Sequence, residues 1–257
     1  MDLGIKGKLA LVTASSGGMG RNIAHMLAAE GANVVLFARS EDKLRGVCDD
    51  IRAQHGVQVT AVAGDMTRHD DVLRLAQTLQ ALGGPDILVL VSARPPNPLR
   101  ATLEEDEQAR WDQAYRAQLW SIVDLVNAAV PQMIGRGWGR IVSVTSASAK
   151  QPMATHALST VFRAGVTAYM KGLATEVAPH GITVNCVAPA LIDTSHRQGQ
   201  SAYTSEQAEH RKTLTPMGRM GTQEELCGVI TFHASRQAGF VTGSTIAVEG
   251  GMIASLF

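Results

Sequence analysis

The sequence predicts a doubly wound α/β protein of the Rossmann type, with one parallel sheet covered by helices on both faces. Short apolar runs alternate with longer segments of helical periodicity along the 257 residues, and a glycine-rich turn follows the first apolar run. No Pro/Gly/Ser-rich linker or charge block divides the chain. Because strictly alternating strands and helices fold into parallel sheets, we expect one domain that spans residues 1–257.

The apolar runs predict seven strands that are buried on both faces, because polar residues are few within them. These strands are Lys8–Thr13, Asn33–Phe37, Val57–Ala63, Ile87–Val91, Arg140–Thr145, Thr183–Val187 and Ser244–Val248. Helices with one apolar face are predicted between them. The first carries Ile23, Met26 and Leu27 and ends near Gly31, and the others are Glu41–Gln54, Asp70–Leu82, about Glu104–Gly135, about Ser159–Ala178 and about Glu224–Ser235.

The composition argues against several classes of protein. The chain has 23 acidic and 23 basic residues, a balance that does not suit a nucleic-acid surface. The three cysteines are widely separated and form no CxxC, so we expect free thiols in a reducing compartment and no metal site. No apolar stretch reaches the roughly 20 residues needed to span a bilayer, and the N-terminus shows no signal-peptide pattern. We expect a cytoplasmic protein that acts on a small molecule, away from membranes.

The glycine-rich turn after the first strand is suited to a dinucleotide. It runs from Thr13 to Arg21 and includes Ser15, Gly18, Met19 and Gly20. Small residues let the backbone approach a pyrophosphate, while the start of the following helix offers free N–H groups. The alternative is an ordinary tight turn between a strand and a helix.

The end of the second strand indicates which cofactor would bind. An acidic residue there would bind the ribose hydroxyls of NAD, whereas an arginine suits the 2′-phosphate of NADP. The sequence has Ala38 where the acid would stand, followed by Arg39 and Ser40. We therefore predict NADP(H), with a solvated surface charge as the alternative for Arg39.

Together with later motifs, these residues resemble the short-chain dehydrogenase/reductase family, in particular its 3-oxoacyl reductase-like branch. The matches are Thr13, Gly18 and Gly20 in the turn, Gly139–Val142, Pro216–Glu225, Val241–Gly243 and Val248–Gly251, which together cover nearly the whole chain. Ala14 departs from the family, which has glycine there. Alanine costs little only if the turn keeps the residue at negative φ.

The resemblance also implies which residues hold the cofactor. Asp65 and Met66 occupy the positions of the family's adenine contacts. Further contacts are expected after the later strands, at Ser92, Pro189, Ile192 and Thr194, and on the helix that follows the fifth strand, at Arg163. The segment 191–215 corresponds to the family's substrate lid.

The catalytic positions of the family carry other residue types in this chain. The Ser–Tyr–Lys triad becomes Ser146, Ser159 and Arg163, and the asparagine of the proton relay becomes Gln118. A serine cannot replace tyrosine as the acid, because its hydroxyl pKa lies far above the phenol value of about 10. An arginine stays charged and cannot relay protons as a lysine does.

Other groups near the predicted site could donate the proton. His156 and Lys150 lie in the loop before the helix that carries Ser159, and Tyr203 lies in the lid. A histidine titrates near neutrality and suits the role. The alternative for each is a solvent-exposed side chain without a catalytic role.

Three functions remain open at this stage. The first is a divergent NADP(H)-dependent carbonyl reductase, and the second is a non-redox lyase, isomerase or cyclase in the same cleft. The third is a catalytically silent nucleotide-binding subunit. A Ser–Tyr–Arg triad is typical of the halohydrin dehalogenase relatives. Arg163 fits this pattern, but Ser159 stands at the position of its tyrosine. The family resemblance also implies a homotetramer or homodimer.

Overall fold

The computed structural model describes residues 2–193 and 204–256, which build one seven-stranded parallel sheet. Its strands stand in the order β3-β2-β1-β4-β5-β6-β7. Their bounds are β1 Leu9–Thr13, β2 Asn33–Ala38, β3 Val59–Ala63, β4 Ile87–Val91, β5 Gly139–Val144, β6 Ile182–Pro189 and β7 Thr245–Val248. The order reverses between β1 and β4, which is the place where such sheets bind ligands. The predicted Rossmann-type fold is therefore confirmed.

Helices cover both faces of the sheet. Their bounds are α1 Gly18–Ala29, α2 Glu41–His55, α3 His69–Ala81, α4 Gln108–Ala114, α5 Ser121–Ala129, α6 Ala157–Val177, α7 Ser205–Thr213 and α8 Gln223–His233. One buried core joins α1, α2 and α8 to alternate strand positions such as Val12 and Leu36. The second core joins α3, α5 and α6 to the intervening positions, such as Leu11 and Leu88. This alternation is what a sheet buried on both faces requires. No helix within the described ranges is long and apolar enough to cross a membrane.

Two predicted segments differ from the structure. The helix expected over about Glu104–Gly135 begins at Gln108 and contains a π-helical turn, Tyr115–Trp120, between α4 and α5. A 3-10 turn at Val130–Gln132 ends it. Within the predicted lid, α7 was not expected, because its nine residues carry no apolar face.

Candidate active site

The candidate site lies at the carboxyl ends of the strands, around the switch point between β1 and β4. It has two parts, which we call the β1–β3 half and the β4–β6 half of the cleft. The first comprises the ends of β1, β2 and β3 with the turn into α1. The second comprises the ends of β4, β5 and β6 with α6. Topology brings these strand ends to one edge, because all seven strands run in parallel.

In the turn after β1, two predicted cofactor residues use their hydroxyls inside the protein. Thr13 is fully buried, and its hydroxyl donates to the Val91 carbonyl at 2.8 Å while it accepts from the Val91 N–H at 2.7 Å. These bonds connect the ends of β1 and β4. Ser15 is also fully buried, and its hydroxyl donates to the Phe37 carbonyl at 3.4 Å. Both side chains therefore brace the turn, which leaves its backbone to face a ligand.

The turn itself is tight and locally strained. Ala14 adopts φ +51°, so the condition under which alanine would cost little there, a negative φ, is not met. Gly18 takes φ +55°, where glycine carries no steric penalty. A Cβ at Gly20 would lie 2.5 Å from the Ala14 carbonyl oxygen, which only glycine avoids. The start of α1 therefore sits directly against the end of β1. Met19 is half-buried and packs against the core below the turn.

At the end of β2, Arg39 is exposed and forms no hydrogen bond or ion pair with the described residues. The next residue, Ser40, is half-buried and precedes α2 without capping it through its side chain. A guanidinium that is free at this position can receive an anionic group.

Asp65 and Met66 follow β3 and are both half-buried. One carboxylate oxygen of Asp65 accepts from the Thr67 N–H at 2.9 Å and from the Thr67 hydroxyl at 2.8 Å. The Asp65 N–H donates to Asp71 at 2.9 Å, and this bond is the main reason why the pKa of Asp71 lies below its usual value. Gly64 was not singled out from the sequence. The Phe37 ring packs so closely against it that a Cβ on residue 64 would lie 2.6 Å from a ring carbon.

In the β4–β6 half, Arg163 is 8% exposed and bonds only to neutral acceptors. Its guanidinium donates to the Ser92 hydroxyl at 2.7 Å, the Val144 carbonyl at 3.0 Å and the Ala93 carbonyl at 2.9 Å. Burial lowers the pKa of Arg163 to about 10, which still leaves it charged at neutral pH. The bonds connect α6 to the loop after β4, so two of the predicted cofactor residues, Ser92 and Arg163, bind each other.

Three serine hydroxyls form a connected group next to this arginine. Ser146 is half-buried, whereas Ser159 is 7% exposed and Ser148 is fully buried. Ser148 donates to the Ser146 oxygen from its N–H at 3.2 Å and from its hydroxyl at 2.9 Å. The Ser148 and Ser159 oxygens are 3.4 Å apart. Sequence reasoning missed Ser148, because one serine within Ser-Ala-Ser-Ala carries no distinguishing signal.

Gln118 lies on the π-helical turn and is fully buried. Neither its amide nitrogen nor its amide oxygen has a hydrogen-bond partner in the described part of the chain. Buried polar atoms are nearly always paired. The π turn packs against α6, so this unpaired amide belongs to the same side of the molecule as Ser159 and Arg163.

The candidate proton donors differ in how they are held. The Lys150 ammonium donates to the Thr245 carbonyl at 3.3 Å. His156 is half-buried, and its Nδ1 lies 2.7 Å from the Ala154 carbonyl. Since a carbonyl only accepts, Nδ1 carries the proton, and Nε2 of the neutral ring is an acceptor. Thr194 and Tyr203 lie outside the described residues.

Two further predicted residues stand at the end of β6. Pro189 is half-buried and pairs in register with Val248. Ile192 is 8% exposed, and its side chain packs into the core. Leu191 between them adopts φ +50°. A cavity of about 400 Å³ next to Ile192 extends toward β7, and none of the three serines lines it.

Comparison with known proteins places this geometry among nicotinamide-dependent enzymes. A family profile described as enoyl-(acyl carrier protein) reductase matches residues 13–253. Dehydrogenase/reductase SDR family member 4 of Sus scrofa is 32% identical over 98% of this chain and 89% of its own length. The 3-oxoacyl-[acyl-carrier-protein] reductase of Aquifex aeolicus (strain VF5) is 30% identical over 98% and 100%, respectively.

Solved structures agree over the full fold. The crystal structure of L-sorbose reductase from Gluconobacter frateurii, complexed with NADPH and L-sorbose, has a TM-score of 0.90 at 32% identity and covers 100% of both chains. A 3-oxoacyl (acyl-carrier-protein) reductase from Agrobacterium tumefaciens C58 with NADP bound has a TM-score of 0.87 at 32% identity, covering 97% of this chain and 95% of its own.

Proposed function

The chain belongs to the short-chain dehydrogenase/reductase family, and from this premise we propose that it is an NADP(H)-dependent oxidoreductase. Its substrate is a small molecule with a carbonyl or hydroxyl group, and it works without the usual Tyr/Lys pair. The observation that carries the proposal is Arg39, a guanidinium at the end of β2 without a partner among the described residues. The similar structures from Gluconobacter frateurii and Agrobacterium tumefaciens contain bound NADPH and NADP, respectively.

The β1–β3 half fits this cofactor. Gly18 and Gly20 leave the turn backbone open, and the first turn of α1 carries no acidic residue and no side-chain cap. These N–H groups would hold the pyrophosphate. Arg39 with Ser40 would hold the 2′-phosphate, and Asp65 with Met66 would contact the adenine. When bound, NADP(H) supplies or accepts the hydride.

The β4–β6 half positions the reacting group. Ser146 is the most exposed of the three serines and would donate to the oxygen of the carbonyl. Arg163 fixes the loop after β4 through Ser92 and Ala93, which sets the wall beside that oxygen. Among the described residues we assign the proton transfer to His156, since its Nε2 is without a partner there and releases a proton when the ring is charged.

The experiment that tests cofactor choice is a calorimetric titration of the cofactor-free protein with NADPH and with NADH. We expect NADPH to bind at least ten-fold more tightly, and Arg39→Ala to weaken NADPH about 10- to 100-fold, because it removes a charge-assisted contact to phosphate. NADH binding should not change. The matched control is Arg45→Ala, an exposed arginine on α2 that pairs with Glu41 and Asp42. Equal binding of both nucleotides by the wild type contradicts the prediction.

Oxidation of NADPH over a panel of ketoses, 3-oxoacyl thioesters and simple ketones tests turnover. With the best substrate, His156→Gln should lower kcat about 100-fold while the NADPH Kd stays unchanged, because it removes the proton donor. A variant that keeps the wild-type kcat excludes His156 as the donor.

Arg163 supports a second candidate, a non-redox lyase, isomerase or cyclase. A buried guanidinium that bonds to neutral groups and has no carboxylate partner in the described ranges keeps an uncompensated positive charge. Such a charge, with Ser146, could stabilise an oxyanion. Stoichiometric NADPH consumption during turnover excludes this candidate. Tight NADPH binding with no turnover on any substrate favours the silent subunit instead.

We also propose that the protein is a homotetramer or homodimer. Tyr115 and Trp120 on the π turn and Val161 on α6 are 40%, 46% and 49% exposed, although they are large and apolar. Helix faces of this kind are typically covered by a second copy. Light scattering behind a sizing column measures the mass, and a monomer at micromolar concentration contradicts the proposal.

A further inference from the structure

The three serine hydroxyls have a defined direction, which follows from counting their hydrogens. A hydroxyl has one hydrogen to donate and two lone pairs to accept with. Ser148 uses its hydrogen on the Ser146 oxygen at 2.9 Å. In its 3.4 Å contact with Ser159, Ser148 must therefore accept, and Ser159 must donate. The protons run from Ser159 to Ser148 to Ser146.

This direction determines what Ser146 can do. Its oxygen accepts from both the N–H and the hydroxyl of Ser148, so both lone pairs are occupied. Its own hydrogen points away from Ser148, and Ser146, which follows β5 at the carboxyl ends of the strands, is the least buried member of the group. Hydrogen bonds in series polarise one another. Ser146 is thereby held as a hydrogen-bond donor. Ser159 donates its only hydroxyl hydrogen to Ser148, inside the protein.

We propose that Ser148 is a positioning residue that fixes the Ser146 hydroxyl as a donor to a substrate carbonyl oxygen. Ser159 acts at the far end of the same group, behind Ser148. The proposal deepens the proposed function and rests on it for its kinetic consequence. Its structural basis, the bond between Ser148 and Ser146, can be tested without turnover.

The kinetic test measures kcat, KM and the NADPH Kd for Ser148→Ala. We expect kcat to fall about ten-fold, the size of one neutral hydrogen bond, while the NADPH Kd stays unchanged. Ser148→Cys, a similar side chain with a weaker donor, should lose less. Ser146→Ala/Ser148→Ala should be no slower than Ser146→Ala, since Ser148 acts through Ser146. The proposal is overturned if the kcat losses of the two single variants multiply in the double variant, or if Ser148→Ala changes KM alone.

The matched control is Ser143→Ala. Ser143 is 1% exposed on β5, and its hydroxyl has no partner in the described part of the chain, so its removal should leave kcat unchanged. An equal fall of kcat in this variant would mean that any buried serine near β5 has the same effect, which overturns the assignment to Ser148.

The thermal test separates this inference from the proposed function. Ser146→Ala and Ser148→Ala should each lower Tm by about 2–4 °C. The double variant should lower it by less than the sum, because both single variants lose the same bond. Additive shifts overturn the inference whatever the activity. If the Tm shifts are non-additive but the wild type shows no turnover on any substrate, the bond between Ser148 and Ser146 is supported and the proposed function is rejected.

Discussion

The two halves of the cleft are built on different principles. In the β1–β3 half the ligand surface is mainly backbone, shaped by Gly18 and Gly20, and Arg39 at its edge is exposed and without a partner in the described residues. In the β4–β6 half the polar side chains turn inward and bind one another, as Arg163 binds Ser92 and Ser159 meets Ser148.

The difference shows which part of a site can change its residues. A backbone surface depends on close approach, so almost any side chain added there collides with the chain. A side-chain site depends on particular donors and acids, and these can be replaced while the helices that carry them pack as before. The family resemblance implies a similar contrast: Gly18 and Gly20 of the turn match its motif, with Ala14 as a departure, whereas Ser159 and Arg163 stand at positions where the resemblance implies tyrosine and lysine.

The largest expected effect comes from closing the backbone surface. In Gly20→Ala the new Cβ would lie 2.5 Å from the Ala14 oxygen and 2.8 Å from the Ala14 carbonyl carbon, so the strand end or α1 must move. We expect a loss of about 3 kcal/mol or more, a fall in Tm of at least about 6 °C, and no measurable NADPH binding.

The matched control for Gly20 lies in the other half. Gly172 on α6 is exposed, and a Cβ added to it would meet no neighbouring residue within 4 Å, so Gly172→Ala should raise stability by about 1 kcal/mol. Both variants are followed by thermal unfolding. A harmless Gly20→Ala would break the contrast between the halves, because the turn would then tolerate side chains.

A smaller effect is expected where the β4–β6 half leaves polar atoms unpaired. Gln118→Met replaces an amide, whose two buried atoms have no partner among the described residues, by an apolar chain of similar length. Removing that desolvation cost should stabilise the fold by about 1–3 kcal/mol, which thermal unfolding would show as a higher Tm. A lower Tm would mean that the Gln118 amide is hydrogen-bonded in solution, with water as the partner to seek.

The smallest effect concerns backbone strain at the rim of both halves. Ala14, Thr155 and Leu191 are the non-glycine residues with positive φ in the described ranges; Ala14 follows β1, Leu191 follows β6, and Thr155 lies just before α6. Ala14→Gly and Thr155→Gly should each raise stability by up to about 1 kcal/mol, since relief of strain exceeds the entropy of glycine. Denaturant unfolding measures this, and a larger gain for Thr155 is expected from its β-branch. Destabilisation in either variant contradicts the strain argument.

Sequence patterns predicted the sheet almost residue by residue, because buried parallel strands are nearly continuous apolar runs. Ile87–Val91 was predicted with the bounds that the structure has. The π turn between α4 and α5 could not be predicted from such patterns. One extra residue at Tyr115–Trp120 shifts the helical periodicity of the sequence but leaves its apolar composition unchanged. The roles of Ser148 and Arg163 depend on contacts made across the fold, with Ser146 and with Ser92, which spacing along the chain does not encode.

The π turn between α4 and α5 makes the chain one residue longer than an α-helix needs to cover the same distance. In evolutionary terms it is a point where length, rather than residue type, can vary. Removing a single residue from 115–120 would join α4 and α5 into one regular helix that covers the same distance and keeps the same faces toward the sheet. Deletion of Gln118 would do so and also remove its buried amide, so the simplest descendant of this protein with a regular helix here differs from it by a gap.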